Sequence, residues 1–162
     1  MPKMTSLKEI IDYPYTVRSL ILEDRDVMAL LSNDPDYDPD SDDAAQYEER
    51  VKDHDYVDDT TLTANAYIVI ESELVSLDST TMATMYVYVN VIISKKYMDM
   101  NPKVFKGYKG NRRDNIAMAV HKLLENNRDF GIGDLRLISA TIGSVPTGFT
   151  SRVLTYKVPT IS

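Results

Sequence analysis

The stretch Met85-Tyr86-Val87-Tyr88-Val89-Asn90-Val91-Ile92-Ile93-Ser94 decides the fold of this chain. Every second residue from Val87 to Ile93 is aliphatic and β-branched, and polar or aromatic residues stand between most of them. Alternation with a period of two predicts a strand with one buried face and one face closer to solvent. Because the second face includes Tyr86, Tyr88 and Ile92, it is more apolar than a solvated face needs to be. We therefore expect it to lie against a neighbouring subunit.

Two amphipathic helices are predicted, one on each side of this strand in the sequence. The first starts at Thr16 and ends at Asn33-Asp34-Pro35, and Pro14 is expected to cut off a short helical turn before it. The second begins near Asn111, a suitable N-cap, with Asp114 in its first turn. In the first helix, one apolar stripe with spacings of three, four and seven comprises Val17, Leu20, Ile21, Val27, Met28 and Leu31.

Three further strands are predicted. One lies between Thr60 and Val75 and pairs with the long strand as a wide antiparallel hairpin. The other two, Asp134–Val145 and Phe149–Val158, are joined by the turn Pro146-Thr147-Gly148. The whole chain, residues 1–162, is thus expected to form one α+β domain. Its sheet is four-stranded and mostly antiparallel, with two main helices packed on one face and an acidic loop insertion.

That insertion, residues 34–59, contains 12 acidic residues against Arg50 and Lys52, so the rest of the chain is mildly basic although the net charge is −7. We expect its first part to be an exposed loop, mobile unless a partner holds it. Asp38, Asp40, Asp42 and Glu49 imitate the ligand spacing of a calcium-binding EF-hand loop. The sixth position of that loop, which favours Gly, is Asp43, so a solvated or partner-facing loop is the preferred interpretation.

A basic stretch between residues 95 and 113 follows the long strand and is interleaved with aromatic residues. It resembles a nucleic-acid surface, but the acidic segment of the same chain favours docking on an acidic neighbour. We predict that Asp38, Asp40 and Asp42 of one copy meet Lys103, Lys106 and Lys109 of the next. The basic residues of the stretch are Lys95, Lys96, Lys103, Lys106, Lys109, Arg112 and Arg113.

No pattern in the chain predicts catalysis, a metal centre or a cofactor. There is no cysteine, which excludes disulfides and thiolate metal sites. The histidines, His54 and His121, lack a catalytic motif such as Gly-x-Ser-x-Gly or His-Glu-x-x-His beside them. No apolar run approaches the roughly 18 residues of a membrane span. We expect a soluble intracellular product that is not an enzyme and that binds no cofactor.

The order of elements resembles that of a known family. An amphipathic helix ending in Leu30-Leu31-Ser32-Asn33-Asp34-Pro35 leads to strands, a long strand and an extended loop. A helix of the type Arg113-Asp114-Asn115-Ile116-Ala117-Met118-Ala119-Val120 and a final strand ending Arg152-Val153-Leu154-Thr155-Tyr156-Lys157-Val158 follow. This pattern is similar to that of the tail terminator and related neck proteins of tailed bacteriophages, although residues 34–59 depart from it.

The resemblance implies a structural virion protein made in the host cytoplasm. A hexameric ring of copies would cap the tail tube and join it to the neck, with the acidic segment facing lumen or sheath. DNA would pass through the lumen without specific binding, because acidic side chains repel phosphates. Two alternatives stay open: another head-tail connector component, or a small α+β module that binds calcium or a basic partner.

Overall fold

The computed structural model describes residues 7–54, 66–77, 82–125, 127 and 135–161. It confirms the α+β class: one sheet has the strand order β1-β2-β3-β5-β4, and α-helices pack against it. The neighbouring strands from β2 to β4 are antiparallel, whereas β1 pairs in parallel with β2. The strands are β1 (Val51–Lys52), β2 (Ala66–Leu77), β3 (Met82–Ser94), β4 (Arg136–Ile142) and β5 (Phe149–Ile161).

The prediction of four strands was wrong, because the acidic segment contributes a fifth. Val51 is buried, and the Ile68 amide donates a hydrogen bond of 2.9 Å to the carbonyl oxygen of Arg50. The Arg18 guanidinium, on the first helix, donates to the carbonyl oxygen of Val51 at 2.7 Å. A two-residue strand has too short a pattern to detect in a sequence, and here tertiary hydrogen bonds hold it.

Strand β3 divides its residues between two faces as predicted. Val87, Val89, Val91 and Ile93 are fully buried in the main core, whereas Tyr86, Tyr88 and Asn90 are only partly buried on the other face. The antiparallel hairpin with β2 is confirmed and pairs Ile68 with Val91 and Ile70 with Val89. Aliphatic residues of β2 and β3 therefore form the part of the core that the sheet contributes.

The described residues form the α-helices α1 (Leu7–Glu23), α2 (Arg25–Ser32), α3 (Ala44–Glu48) and α4 (Arg112–Glu125), and a short 3-10 turn spans Lys95–Tyr97. The predicted stripe of the first helix is buried except for Leu20, which is partly buried. Ile116, Val120 and Leu124 on α4 are buried as well, and all of these residues pack in one core with the strands. Packing of the main helices on one face of the sheet is thus confirmed.

Pro14 does not end a helix, contrary to the prediction. Helix α1 continues through it, although proline cannot donate the backbone hydrogen bond that would reach the carbonyl of Ile10. The Ser72 hydroxyl on β2 donates to that carbonyl oxygen at 2.7 Å instead. A side chain 62 residues away therefore satisfies the acceptor that proline leaves free, which a reading of the local sequence cannot foresee.

The helical region is interrupted at Asp24 rather than at Pro14. Asp24 has extended backbone angles and caps α2, because its carboxylate accepts a hydrogen bond of 2.9 Å from the Val27 amide. Asn33 ends α2 in the left-handed conformation, as the predicted stop at Asn33-Asp34-Pro35 requires. At the start of α4, Asn111 acts as the predicted cap and accepts from the Asp114 amide at 2.8 Å.

The closing hairpin agrees with the prediction apart from its bounds. The predicted turn is present: Gly148 has φ of 92°, and the Phe149 amide donates to the Pro146 carbonyl at 3.1 Å. Strand β4 is shorter than predicted and β5 is longer. Residues 60–65 of the strand predicted between Thr60 and Val75 and residues 55–59 of the acidic segment lie outside the described residues.

Candidate assembly surfaces

The face of the sheet opposite the helices, called here the open face, is the first candidate surface. Tyr86 and Tyr88 lie on it with their rings edge to face, 6.3 Å apart. The Tyr88 hydroxyl donates to a Glu73 carboxylate oxygen at 2.9 Å, and partial burial together with this bond raises the pKa of Tyr88 to about 12. Charged side chains flank the tyrosines: Glu71 and Glu73 on β2, Lys157 on β5 and Arg136 on β4.

One end of the open face is covered by the turn between β4 and β5. Tyr67, Val69 and Ile92 form a small second cluster, against which Val145 and Phe149 pack. Beside this cluster lies a groove of about 370 Å³ between the strands and the turn. The Asn90 side-chain oxygen, in the groove wall, is buried and has no hydrogen-bond partner among the described residues. Ile92 is therefore covered within the chain, and the exposed part of the face is the tyrosine pair with its charged flanks.

The basic loop, residues 95–111, is anchored rather than freely extended. Phe105 is buried and packs edge to face on Tyr108, with ring centroids 5.9 Å apart. Lys103, Lys106 and Lys109 are exposed as predicted, and so are the other two lysines of the loop, in the 3-10 turn. Five of the seven predicted basic side chains thus form a solvent-facing positive surface.

Arg112 and Arg113 do not belong to that surface, contrary to the sequence interpretation, because both are buried. The Arg112 guanidinium donates to the carbonyl oxygens of Leu30 and Leu31 at 2.7 and 2.6 Å. These carbonyls lie in the last turn of α2, where acceptors lack the regular helical partner, although the Leu30 carbonyl also accepts from the Asn33 amide at 3.4 Å. Burial, and then the nearby Arg50 charge, lower the pKa of Arg112 to about 10, so the group stays charged at neutral pH. Arg112 joins α4 to α2.

Arg113 belongs to an internal charge cluster with Asp114 and Arg152. Both guanidinium groups donate to the Asp114 carboxylate, at 2.9 and 3.0 Å, and Arg113 also donates to the Thr150 hydroxyl at 2.6 Å. Burial tends to raise the pKa of Asp114, but hydrogen bonds from Arg113, Arg152 and Asn111 outweigh it and hold that pKa well below its usual range. The cluster fixes the start of α4 on β5.

We expect Asp114→Asn to lower the free energy of unfolding by about 1 to 2 kcal/mol at neutral pH, because two partly buried guanidinium groups lose their counter-charge. The value stays modest because the Asp114 side chain is 41 % exposed. Since folding lowers this pKa, the stabilisation is complete above the unfolded value of about 3.8 and is lost as the pH falls further. Urea denaturation of the wild type and of Asp114→Asn at several pH values from 7 to 2 measures the difference in their free energies of unfolding. A difference that stays constant with pH would contradict the assignment.

The acidic segment folds back on the domain through its aromatic residues. Tyr37 is buried and lies edge to face with Tyr47, at 6.1 Å between ring centroids. The Arg50 guanidinium lies 4.7 Å from the centre of the Tyr47 ring. The short helix α3 follows Tyr37 in the sequence and includes Tyr47. Hence residues 34–54 are partly ordered by the chain itself, more than their composition predicts.

Asp38, Asp40 and Asp42 are exposed, and the Asp38 carboxylate accepts a bond of 2.9 Å from the Asp40 amide, a turn-forming contact. Asp43 has ordinary right-handed angles. In the described part of the chain, no group of three or more acidic or histidine side chains is arranged to hold a metal ion. None of these three carboxylates pairs with Lys103, Lys106 or Lys109 within the described residues.

The two histidines lie in different surroundings. His54 is exposed and contacts the Asp53 carboxylate at 2.8 Å. The His121 ring stacks on the buried Tyr156 ring, with Nδ1 3.1 Å from its hydroxyl oxygen. Burial raises the pKa of Tyr156 well above its usual range, so the hydroxyl stays protonated. His121 also lines a groove of about 210 Å³ between α4 and the closing hairpin. Neither histidine contacts a nucleophilic hydroxyl of the serine–histidine type among the described residues.

Several exposed residues of the closing hairpin were missed in the sequence. Ile138 and Ile142 on β4 are 46 % and 69 % exposed, and Arg136 and Lys157 lie on the open face. An irregularity in the pairing between Leu137 and Ser139 breaks the alternation of β4. The alternation of apolar residues in β4 is a weak signal for this reason. No helix in the described residues meets the length and apolarity that a membrane crossing needs.

A comparison with protein families gives one finding. The model of the YomW family matches residues 24–158, from the cap of α2 into β5. The match includes β1 to β4, most of β5, α4, the basic loop and the acidic segment, and leaves out α1. No curated protein matches the chain. Since the family model covers most of its 162 residues, the chain belongs to the YomW family, whose phage-derived name indicates a bacteriophage protein.

Proposed function

We propose that this protein is a structural virion component of the tail terminator type, forming a ring that caps the tail tube and joins the tail to the neck. The observation that supports this most is the open face. It has a tyrosine pair with charged flanks, and the apolar cluster beside it includes no residue of a described helix. Half-exposed tyrosines are suited to subunit interfaces, since each has a large apolar ring and a polar tip.

Two charged surfaces support ring formation from one kind of chain. The lysines of the basic loop and the carboxylates of the acidic segment are both exposed and have no ion pair with each other in the described chain. In a head-to-tail ring, different surfaces of one chain meet in every contact. Lys103, Lys106 and Lys109 of one copy would thus contact Asp38, Asp40 and Asp42 of the next.

The acidic segment also fits a position near the DNA path. Its exposed carboxylates outside that contact repel phosphates, so DNA passes a ring lined by them without being bound. Another head-tail connector is the second candidate, because its ring would use the same surfaces. The two are distinguished by the target: a terminator binds the end of a tail tube, and a connector binds the head-side ring.

This function is tested by measuring the mass of the purified chain, both free and mixed with tail tubes of the phage that encodes it. We expect a ring in solution or on the tube ends, seen by mass photometry and by electron microscopy of negatively stained tubes. A chain that stays monomeric at all concentrations and leaves tube ends bare would overturn the proposal. Binding to portal-side rings, with tube ends left bare, would favour the connector.

Reversal of charge in the basic loop tests the predicted contact. We expect Lys103→Glu with Lys106→Glu and Lys109→Glu to weaken assembly about tenfold or more at low salt, because like charges then oppose each other. Lys95→Glu with Lys96→Glu is the control, since it alters two exposed lysines at the other end of the loop that the predicted contact does not include. Sedimentation velocity at several salt concentrations measures both. Unchanged assembly and salt dependence in the triple variant would exclude this contact.

A further inference from the structure

The register of the sheet places acidic and basic side chains at opposite ends of single rows across the open face. Glu73 pairs with Tyr86, Tyr86 with Lys157, and Lys157 with Arg136. Residues that pair directly across neighbouring strands point to the same face. This row therefore begins with a carboxylate on β2, passes a tyrosine on β3 and ends with two cations on β5 and β4.

A second row runs beside the first and includes Glu71, Tyr88, Thr155 and Ser139. The two glutamates thus lie side by side on β2, while Lys157 and Arg136 lie at the other side of the face. With strands about 4.8 Å apart, Glu73 and Arg136 are about 14 Å from each other along their row. No ion pair within the described residues joins Lys157 or Arg136 to either glutamate. Charge is therefore distributed unevenly across the open face, which is acidic at β2 and basic at β4.

Both sides of the sheet have backbone that no described strand covers. Strand β4 is the last in the order, and its residues Ile138 and Ile142 are largely exposed. On the other side, β1 pairs only with Ile68 and Val69, so no described strand lies beside β2 from residue 70 to 77. An exposed strand edge with apolar side chains is a ready site for pairing with another chain. The two sides also have opposite charges.

We propose that β4 of one copy lies beside β2 of the next, so that Arg136 and Lys157 of the first face Glu71 and Glu73 of the second. This inference rests on the self-assembly proposed above and specifies one of its surfaces. The second copy is the occupant that the charges favour, since each copy presents both halves of the complementary pair. A head-to-tail contact of this kind closes into a ring when its rotation allows it. A polyanion bound to Arg136 and Lys157 would be repelled by Glu71 and Glu73, which lie on the same face.

Complementary charge reversal tests the contact in the full chain. The acidic-side variant combines Glu71→Lys with Glu73→Lys, and the basic-side variant combines Arg136→Glu with Lys157→Glu. We expect each to weaken self-assembly at least tenfold at low salt. A one-to-one mixture should regain wild-type assembly, because alternating copies restore opposite charges at every contact. Glu23→Lys with Glu125→Lys is the matched control, since both glutamates are exposed at helix ends, outside the rows and outside the acidic segment.

The outcomes separate this contact from the proposed function. If the wild type forms rings and both variants do so equally well, the contact is wrong and ring formation stands. If the variants dissociate and their mixture does not recover, the inference is also overturned, because the loss is then not a matter of charge pairing. A wild type that never associates, on tubes or free, overturns both proposals.

Cross-linking gives an answer even where a charge variant fails to fold. The chain has no cysteine, so Glu71→Cys with Ser139→Cys introduces a single pair of thiols. These positions are about 14 Å apart in one copy, too far for a disulfide within the chain. We expect a short bismaleimide to produce a ladder of covalent oligomers up to the ring size, whereas either single variant stops at dimers. Products no larger than monomer from the double variant would overturn the proposal.

Discussion

Replacing Val89 with lysine is expected to destabilise the fold severely, whereas replacing its neighbour Tyr88 with lysine leaves the fold intact. Val89 is fully buried between the helices and the sheet. A lysine there would place an unpaired charge in the core, at a cost of about 4 kcal/mol or more. That is a large part of the total stability of a domain of this size, which is about 5 to 15 kcal/mol.

Tyr88→Lys is the matched control because it introduces the same residue one position away on the same strand. Its side chain lies on the open face beside Glu71 and Glu73, where a cation has opposite charges nearby. Far-ultraviolet circular dichroism and thermal melting of both variants measure the difference. If Val89→Lys melts like the wild type, the assignment of the two faces of β3 is wrong.

Arg112→Met is expected to lower the free energy of unfolding by about 3 kcal/mol, because the Leu30 and Leu31 carbonyls lose their buried donors. Methionine retains most of the side-chain volume, so the loss reports on hydrogen bonding rather than on a cavity. Chemical denaturation followed by circular dichroism measures the change. The lost hydrogen bonds lie at one site, but they join two helices that are far apart in the sequence.

Arg112→Lys is the informative comparison. Lysine retains the positive charge but presents one ammonium group, which cannot reproduce the two separate guanidinium hydrogen bonds. We expect it to recover less than half of the lost stability. Full recovery with lysine would show that charge near the end of α2, and not the guanidinium geometry, provides the stabilisation. An Arg112→Met variant that is as stable as the wild type would contradict the role of Arg112 in joining α4 to α2.

The comparison of sequence and structure is most informative at β3 and at Pro14. The alternation of Val87, Val89 and Val91 defines a buried face whatever the neighbours are, because side chains in a strand point alternately to two sides. At Pro14 the local rule failed. Whether proline ends a helix depends on another partner for the released carbonyl, and that partner, Ser72, lies on a different element.

The residues of the candidate assembly surfaces also divide into those that the sequence predicted and those that only the structure placed. The exposed lysines of the basic loop and the position of Tyr86 and Tyr88 on the face of β3 away from the core were predicted from composition and pattern. Arg112 and Arg113 were misassigned to that surface, since a basic side chain in a sequence does not reveal whether carbonyls or carboxylates lie within its reach. Likewise, the first part of the acidic segment was expected to be an exposed loop, but Tyr37 within it is buried, and so is Val51 further along the segment.

The sequence on its own was sufficient for the α+β class, the two faces of β3, the hairpin with β2 and the caps at Asn33 and Asn111. All of these depend on residues close together in the chain or on periodicity within one element. Only the tertiary structure decided that β1 joins the sheet, that Arg112 is buried, and that Glu73, Tyr86, Lys157 and Arg136 form one row. Strand order and register bring together residues more than 60 positions apart, and no local pattern contains that information.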